Sequence, residues 1–588
     1  MPKPAATFSN AQIATLLRNV AAVYALNGEN IFRIKAFENA ANSIEQYSIP
    51  VQDIWTNAEA LDAIPGVGKA IASDLHALFT NGKIEHYDTL LHSVPQGFFA
   101  LLPIQGIGPK TALKLVTQLN LQSAESAIEE VKRASKEQRI EKLDGFSAVS
   151  QARILSAIEH TREKAQARLL LPIAEQIASD VVAFISSCPA VLAAEPLGSL
   201  RRKSPTVGDI DIAVSTNDSA TVFDHLATFP GINRLIGRGA KQFTFIHATG
   251  WQVDCKTSDP AAWGSMLQHY TGNKMHNIAL RTIAVKKGWS LSERGIEKDG
   301  NLHTYATEEL LYRELGMEWI PPMLREDSGE IVMATSKTLP NLVTLPMIKG
   351  DLHIHTNLPF PTSHDSGRST IDDLLLRAKE LNYAYIGFSD HNPKRTGLSA
   401  SERLECVRER NESIDEVVAR FFKGKEQTIK VYKGLEIDIL PDGNLALEDE
   451  AIQELDYVIA SLHSQFRQDR KTATARILKA LSHPKVKWMG HPTGRILESR
   501  DGIDADWTEI FSFCAQQGIW MEINSGPDRT DLPAPLIREA KKAGVQFIIN
   551  TDAHHVDGMD SMKYGIYNAQ RGWASADDIV NTQSTLPL

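Results

Sequence analysis

The chain of 588 residues lacks the features that place a protein in a membrane or staple it with disulfides. It contains no apolar run near the roughly 20 residues that span a bilayer, and Met1–Ala6 carries no apolar core of a secretion signal. The four cysteines, Cys188, Cys255, Cys406 and Cys514, are far apart and form no C-x-x-C pair, which argues against a disulfide framework or a zinc ribbon. We therefore expect a multidomain protein of the cytoplasm with no membrane contact.

The chain also lacks the positive charge of a protein that binds DNA through a basic field, since its net charge is −10. The acidic excess is uneven. Residues 1–165 hold 16 basic and 17 acidic residues, residues 166–345 hold 17 and 19, and residues 346–588 hold 29 and 36. Any contact with DNA must therefore come from local patches and backbone amides.

Paired carboxylates lie at the start of a predicted strand. Ile210 and Ile212 point to one face of this strand and Asp209 and Asp211 to the other, because side chains alternate along a strand. Two like charges this close repel unless a cation lies between them, and hard oxygen ligands suit Mg²⁺ or Mn²⁺. The pattern indicates a nucleotidyltransferase palm; the alternative is an edge strand with solvated acids.

Phosphate-binding groups precede this strand, and a third acid follows it. The backbone at Gly198 and Ser199 can approach a phosphate, while Arg201 and Arg202 offer guanidinium donors. Asp254 lies in a second predicted strand pair, where it could face the first two acids. Three acids would hold two ions, which orient a triphosphate and activate the attacking hydroxyl. Alone, Asp254 could be a charge at the edge of a sheet.

Two glycine turns each begin a predicted helix in the N-terminal segment, after two helices predicted over 11–25 and 33–47. The turns are Gly66-Val67-Gly68 and Gly106-Ile107-Gly108, with a degraded third copy at 143–146. Such turns present unpaired N–H groups and a positive helix end to an anion, here a phosphate of the DNA backbone. The repeat resembles the helix-hairpin-helix motif and favours duplex binding over a purely structural turn.

Short apolar strands alternate with helices from Gly350 onward, with strands predicted at 384–388, 430–434, 457–460, 520–523 and 546–550. This alternation predicts a parallel α/β barrel, in which chemistry gathers at the C-terminal ends of the strands. Histidines and acids follow many of these strands. A lone histidine there is usually a hydrogen-bonded surface residue, but a series at one end of a barrel predicts a metal centre.

Taken together, the N-terminal features resemble the family X DNA polymerases. The resemblance rests on the glycine-serine-arginine turn, the Gly208-Asp-x-Asp strand, Asp254, the His269-Tyr270-Thr-Gly272 turn and the helix with Asn277 and Arg281, all behind helix-hairpin-helix repeats. It implies an α+β palm and a small thumb-like domain, two Mg²⁺ or Mn²⁺ ions at the three aspartates, and gapped or nicked duplex DNA and dNTPs as partners.

The same resemblance assigns individual roles. Ser199 and Arg202, with Gly198, Gly208 and Arg168, would contact the incoming triphosphate. The turn formed by His269, Tyr270 and Gly272 would pack against the sugar. Asn277 would touch the minor-groove edge of the new pair and Arg281 the template strand. In the hairpins, Gly66, Gly68, Gly106 and Gly108 would contact DNA.

The chain departs from the family at two positions. The sugar-contacting pair is Tyr-Phe in the family's animal members and His269-Tyr270 here, so strict exclusion of ribonucleotides is not implied. The Schiff-base lysine of the animal repair enzymes is replaced by Asp74, and an acid cannot form that imine. Lys69 is near but out of register, so we predict no deoxyribose-phosphate lyase activity of that kind.

The C-terminal series resembles the PHP (polymerase and histidinol phosphatase) metallo-phosphoesterase domain, a distorted (β/α)7 barrel. The resemblance implies nine metal ligands: His353, His355, Asp365, His391, Glu436, His463, His491, Asp552 and His554. An insertion before Asp365 lengthens the loop, so either His364 or Asp365 is the ligand there. Mixed imidazole and carboxylate ligands favour Mn²⁺ or Zn²⁺, up to three ions; an inert structural metal barrel is the alternative.

We expect a monomeric gap-filling repair polymerase whose C-terminal domain is a 3′-5′ exonuclease, an abasic-site endonuclease or a 3′-phosphatase. One alternative is a phosphoesterase with a non-catalytic nucleotide-binding palm, and another is a nucleotidyltransferase with a non-DNA acceptor. A non-enzymatic DNA-binding protein requires both metal sites to be empty. The expected domains are two helical domains (1–90 and 91–168), a palm (169–258), a thumb-like domain (259–320), a linker (321–348) and the PHP domain (349–588).

Overall fold

The structure, a computed structural model, describes residues 8, 10–45, 51–57, 61, 64, 66–102, 104, 107–164, 168–424 and 426–587. Within these ranges the chain forms two compact units, residues 1–167 and 168–588. No helix in the described ranges is both long and apolar enough to cross a membrane.

The first unit is helical. Its helices are α1 Asn10–Leu26, α2 Ile31–Glu45, α3 Val51–Ile54, α4 Lys69–Asn81, α5 Glu85–Leu91, α6 Gly97–Leu101, α7 Pro109–Gln118, α8 Ala124–Lys136 and α9 Ala148–Lys164. Apolar residues of α1 at three-to-four spacing, including Ile13, Leu17 and Val20, are fully buried. Helix α1 contributes to the core around each glycine turn, because Leu17 packs with Val67 and Val23 packs with Ile107.

The second unit begins with a palm built on a five-stranded sheet. Its elements are β1 Leu169–Leu170, α10 Leu171–Ser186, β2 Ala193–Pro196, α11 Gly198–Arg201, β3 Thr206–Val207, β4 Ile210–Ser215, α12 Ser219–Leu226, β5 Ile232–Arg238, β6 Gln242–His247 and β7 Gln252–Ser258. The strand order is β2-β4-β7-β6-β5, in which β4 and β7 are parallel and the other pairs antiparallel. Ile210 and Ile212 are buried on one face, as alternation predicts.

A small domain of helices and one short sheet follows the palm. Its elements are α13 Trp263–Thr271, α14 Lys274–Lys286, β8 Ser290–Ser292, β9 Gly295–Lys298, β10 Asn301–His303, α15 Glu308–Leu315 and α16 Glu330–Ser336. Helix α16 lies inside the segment predicted as a linker. That segment is anchored, because the buried Glu330 accepts a hydrogen bond from His276 of α14 at 2.7 Å.

The rest of the chain is the predicted parallel barrel, and this fold class is confirmed. Its elements are β11 Gly350–Ile354, α17 Ile371–Glu380, β12 Tyr385–Phe388, α18 Ala400–Phe421, β13 Lys430–Asp438, α19 Asp449–Ile452, β14 Tyr457–Ser461, α20 Arg470–Leu481, β15 Val486–Gly490, α21 Trp507–Gln517, β16 Trp520–Asn524, α22 Ala534–Lys542, β17 Phe547–Asn550 and α23 Met562–Arg571. The seven strands pair in chain order and in parallel. Their C-terminal ends therefore share one side of the barrel.

One buried carboxylate joins the palm to the small domain. Glu308, at the start of α15, receives two hydrogen bonds of 3.0 Å from Arg201 and one of 2.6 Å from the fully buried Arg325. Burial alone would raise its pKa, but Arg325 and Arg201 lower the pKa of Glu308 to about 2. Arg201 is therefore committed to the scaffold.

Replacement of this carboxylate should destabilise the second unit. Glu308→Gln leaves the fully buried Arg325 without its counter-charge and leaves Arg201 with Glu195 alone, which costs roughly 3 to 5 kcal/mol of unfolding free energy. Thermal unfolding measures the change, and Glu309→Gln, on the exposed side of the same helix, is the matched control. Equal unfolding temperatures for the two variants would contradict the structural role of Glu308.

Candidate functional site

The parallel pairing of β4 with β7 brings the palm acids together. Asp211 and Asp254 are register partners on adjacent strands, and Asp209 lies one residue before β4. The Asp254 carboxylate accepts hydrogen bonds from Thr244 at 2.5 Å and from Gln252 at 2.7 Å. These contacts fix its orientation beside Asp211.

Lys256, a residue that the sequence analysis missed, contacts this group of acids. Its ammonium donates to Asp211 Oδ1 and lies 5.2 Å from the centre of the Tyr270 ring. Burial raises the pKa of Asp211, Lys256 opposes that rise, and Asp209 and Asp254 add to it. Like charges gathered at a half-buried site are the environment in which a divalent cation is stabilised, so the palm residues fit a metal site.

The predicted phosphate turn lies against these acids. Gly198 has a φ of +58°, and a Cβ added there would lie 3.6 Å from Asp211 Oδ2. The amide of Leu197 donates to the Asp211 carbonyl at 2.8 Å. Ser199 follows in α11, in the first turn of this short helix. The backbone can therefore approach a phosphate next to the carboxylates.

Arg168 and Arg202 lie at two other positions around this turn. Arg168 donates to the hydroxyl and carbonyl of Thr206 at 2.7 and 2.9 Å, and a Cβ added at Gly208 would lie 3.2 Å from its Nη1. Arg202 donates from Nε to Glu326 at 3.1 Å and from Nη1 to the carbonyl of Thr271 at 2.5 Å. Arg202 is thus attached to the turn between α13 and α14.

That turn carries the predicted nucleotide contacts. A Cβ added at Gly272 would lie 3.3 Å from Arg202 Nη1, so only a small residue fits beside the guanidinium. Asn277 donates to the His269 carbonyl at 2.6 Å, and Arg281 Nη2 lies 3.4 Å from His269 Nδ1. The rings of His269 and Tyr270 meet edge to face at 4.8 Å.

In the helical unit the glycine turns are formed as helix N-termini. Gly66 has a φ of +81°, and Gly68 and Gly108 are the N-caps of α4 and α7 with open space where a Cβ would stand. A glycine N-cap has no side chain to bond the first N–H groups of its helix, which leaves these groups available to an anion. Gly106 lies outside the described residues.

The barrel gathers the predicted histidines around one carboxylate, Glu436 at the end of β13. Glu436 Oε1 lies 2.8 Å from His491 Nε2 and 3.3 Å from His463 Nε2. Glu436 Oε2 lies 3.1 Å from His391 Nδ1, 3.3 Å from His353 Nε2 and 3.6 Å from His355 Nε2. Each of these five histidines lies within a strand near its C-terminal end or within three residues after it.

Asp552 and His554 complete the group. Asp552 Oδ1 lies 3.1 Å from His355 Nε2 and 3.5 Å from His353 Nε2, while the ring of His554 stacks on that of His355 at 3.9 Å. Four sets of donor atoms within the described residues are close enough to hold an ion: His353, His355, Glu436 and Asp552; His355, His391 and His554; His391, Glu436 and His463; and His364, Asp438 and His463.

Unsatisfied buried atoms support the metal assignment. Both Glu436 oxygens, His353 Nε2, His391 Nδ1 and His554 Nε2 are buried without a hydrogen-bond partner. A buried polar atom without a partner is costly unless a cation or water satisfies it. The residues present therefore fit divalent ions with mixed nitrogen and oxygen ligands.

The lengthened loop brings both of its candidates to the site. Asp365 lies 3.4 Å from His554 Nε2 and 3.7 Å from His391 Nε2, whereas His364 Nε2 lies 2.9 Å from Asp438. Asp438 also accepts from His463 Nδ1 at 2.6 Å. Both candidates therefore adjoin predicted ligands, since the ring of His364 also lies 4.9 Å from that of His391 and 4.4 Å from that of His463.

A second layer of polar groups orients the ligands, and sequence reasoning missed it. His353 donates from Nδ1 to the fully buried Glu522 at 2.8 Å, and Asn524 donates to Glu522 at 2.8 Å and to Asp552 at 3.2 Å. Such outer partners fix the ring orientation of metal-bound histidines. The signal was an acid and an amide in the otherwise apolar strand β16.

Burial and the neighbouring carboxylates act in opposite directions on the histidine pKa values, and a different one prevails at His391 and at His463. Burial lowers the pKa of His391 to about 2, so this ring is neutral and ready to ligate. Burial also opposes protonation of His463, but Glu436 and Asp438 raise its pKa to about 10. A proton on His463 balances the two carboxylates that a cation would otherwise neutralise.

A mixed sheet with three acids beside a glycine turn, joined to a parallel barrel with clustered histidines, is the architecture of a nucleotidyltransferase palm joined to a metal-dependent phosphoesterase. Family models match four parts of the chain. They are a helix-hairpin-helix domain at residues 8–84, a SAM-like helix-hairpin-helix tandem at 98–159, a DNA polymerase beta thumb at 266–326 and a PHP domain at 351–526.

Curated relatives agree. The chain is 31% identical over 579 residues to the DNA polymerase/3'-5' exonuclease PolX of Bacillus subtilis, which covers 97% of each chain. It is 28% identical over 213 residues to a probable phosphatase of Clostridium acetobutylicum, covering 35% of this chain and 78% of the relative. It is 23% identical over 352 residues to DNA polymerase lambda of Arabidopsis thaliana, covering 53% and 61%. The chain therefore belongs to the bacterial family X DNA polymerases with a C-terminal PHP domain.

Removal of the central carboxylate should empty the barrel of metal. Glu436→Gln keeps the shape of the side chain but removes the charge that five imidazoles surround, so metal affinity should fall at least about tenfold. Elemental mass spectrometry of the purified protein measures the bound ions, and the exposed Glu426→Gln is the control. Wild-type metal content in Glu436→Gln would show that the ions bind elsewhere.

Proposed function

We propose that this protein is a DNA-directed DNA polymerase that fills short gaps during DNA repair and that its PHP domain hydrolyses phosphoesters at 3′ ends. The palm proposal is supported above all by the pairing of Asp211 with Asp254 across β4 and β7, beside the Gly198 turn. The kinship with a polymerase/exonuclease over nearly the whole chain supports the combination.

In the palm, Asp209, Asp211 and Asp254 would hold two Mg²⁺ or Mn²⁺ ions. When bound, the ions neutralise the triphosphate and favour attack by the primer hydroxyl with loss of pyrophosphate. The chain's own part is positioning. Gly198, Ser199 and Gly208 admit the phosphates to the backbone, and Arg202 with Arg168 provides positive charge.

The turn between α13 and α14 would select the nucleotide. His269 and Tyr270 would pack against its sugar beside Gly272, with Asn277 and Arg281 on the pair and the template. Gly66, Gly68, Gly106 and Gly108 would bind the DNA backbone on either side of the gap. We keep the predicted domain bounds (1–90, 91–168, 169–258, 259–320, 321–348 and 349–588) as part of this proposal.

In the barrel, the nine ligands would hold up to three Mn²⁺ or Zn²⁺ ions, which supply the activation of a water for attack on phosphorus. Buried carboxylates such as Glu522 keep the imidazoles oriented. We favour 3′-5′ exonuclease activity over abasic-site cleavage or 3′-phosphatase activity, because the Bacillus relative is named for it. We also propose that the protein acts on chromosomal DNA in the cytoplasm and as a monomer.

The two activities should be separable by single substitutions. Asp209→Ala should reduce primer extension on a one-nucleotide gap by roughly a hundredfold to a thousandfold while hydrolysis at the 3′ end persists, and His355→Ala should do the reverse. Denaturing gels with 5′-labelled primer report both reactions. Asp224→Asn, an exposed acid of the palm, is the control.

Primer extension that survives the loss of Asp209 would disprove the palm assignment and favour the non-catalytic nucleotide-binding alternative. Extension that needs Asp209 but no template would instead favour a nucleotidyltransferase with another acceptor. Templated and untemplated substrates compared side by side distinguish these outcomes.

The helical unit should lack deoxyribose-phosphate lyase activity. Asp74 stands at the position of the family's Schiff-base lysine, and a carboxylate has no amine to form the imine. It accepts a hydrogen bond from the buried Tyr87 at 2.6 Å. Borohydride reduction with a 5′-deoxyribose-phosphate substrate should trap no covalent complex. A trapped complex that disappears in Lys69→Ala would overturn this prediction.

A further inference from the structure

The last helix of the barrel, α23, lies against the polymerase half of the second unit. Tyr564, Tyr567 and Arg571 share one face of this helix, at spacings of three and four residues. Tyr564 packs in the palm core, and the ring of Tyr567 lies 4.8 Å from the ammonium of Lys203. Arg571, the final residue of the helix, contacts Arg202, which precedes Lys203 in the chain.

Arg571 makes two hydrogen bonds into the nucleotide site. Its Nη1 donates to the backbone carbonyl of Arg202 at 3.0 Å and to Glu326 Oε1 at 3.0 Å. The side chain is only 15% exposed, so these contacts are partly shielded from solvent. Charge-assisted hydrogen bonds of this kind position their partners more strongly than exposed ion pairs do.

Glu326 connects Arg571 to Arg202 and to Asn273. Its Oε1 accepts hydrogen bonds from Arg571 Nη1 and Arg202 Nε, and its Oε2 accepts one from the side-chain amide of Asn273 at 2.7 Å. Asn273 is also the N-cap of α14, since its Oδ1 accepts from the His276 amide at 2.8 Å. The carboxylate therefore ties the arginine to the helix that carries the proposed base-pair contacts.

Three charged groups of alternating sign, Arg571, Glu326 and Arg202, lie next to one another. Glu326 stands between two guanidinium groups, and together Arg571 and Arg202 lower the pKa that burial would otherwise raise. Arg202 donates from Nε to Glu326 and from Nη1 to Thr271, and its Nη2 makes no hydrogen bond within the described chain. An arginine held at two of its nitrogens can offer the third to an anion with little loss of side-chain entropy.

We infer that Arg571 of the PHP domain is a positioning residue for dNTP binding in the palm, acting through Glu326 and the backbone of Arg202. The inference rests on the proposed contact between Arg202 and the triphosphate. The PHP domain thus supports polymerisation by a route that is independent of its own hydrolysis, because Arg571 contacts none of the metal ligands.

Steady-state gap filling by the full-length protein tests this role. Arg571→Gln should raise KM for the dNTP about tenfold, equivalent to about 1.4 kcal/mol, with kcat within about twofold and hydrolysis at the 3′ end unchanged. Arg571→Lys, which keeps a donor and the charge, should recover part of the loss. Lys563→Gln removes a positive charge from the same helix near Glu175 and should leave KM unchanged.

A double-mutant cycle separates positioning from general destabilisation. Arg202→Gln alone should raise KM, and Arg571→Gln should add nothing further in that background. Additive effects, or equal losses in kcat and in hydrolysis, would overturn the inference. If Arg202→Gln raises KM and Arg571→Gln does not, the inference fails while the proposed function stands; if Arg202→Gln has no effect, the proposed triphosphate contact fails with it.

Discussion

The polymerase half of the molecule depends on the parallel pairing of two strands. Because β4 and β7 run in the same direction and in register, Asp211 and Asp254 emerge side by side, with Asp209 one residue upstream. Three carboxylates so close repel one another, and Lys256 offsets only part of that repulsion. Divalent ions would relieve the repulsion among these carboxylates and could in turn bind an anionic triphosphate.

The barrel also gathers potential metal ligands, but of a different kind. Here seven parallel strands deliver imidazoles and carboxylates to one end, and the buried Glu436 lies among five histidines. The palm offers partly exposed oxygen donors, which would suit ions that exchange with the nucleotide. The barrel offers nitrogen-rich, buried donors with a supporting layer, which would suit ions that stay bound through many turnovers.

Local patterns predicted much of this architecture. Alternating apolar residues placed β4, β6 and β7, and the strand-helix alternation placed five of the seven barrel strands to within a few residues, because those patterns reflect burial directly. The family resemblance supplied the ligand series. Contacts that join distant parts of the chain were not predicted: Lys256 beside Asp211, Asp438 behind His463, and Arg571 behind Arg202 depend on tertiary packing that no local pattern reveals.

Anomalous diffraction from crystals with Mn²⁺, gapped duplex and a non-hydrolysable dNTP would locate the ions of the palm. We expect two manganese peaks within coordination distance of Asp209 and Asp211, one of them also near Asp254, with the triphosphate on the Gly198 turn. A triphosphate seated away from this turn, or manganese bound without Asp254, would contradict this expectation.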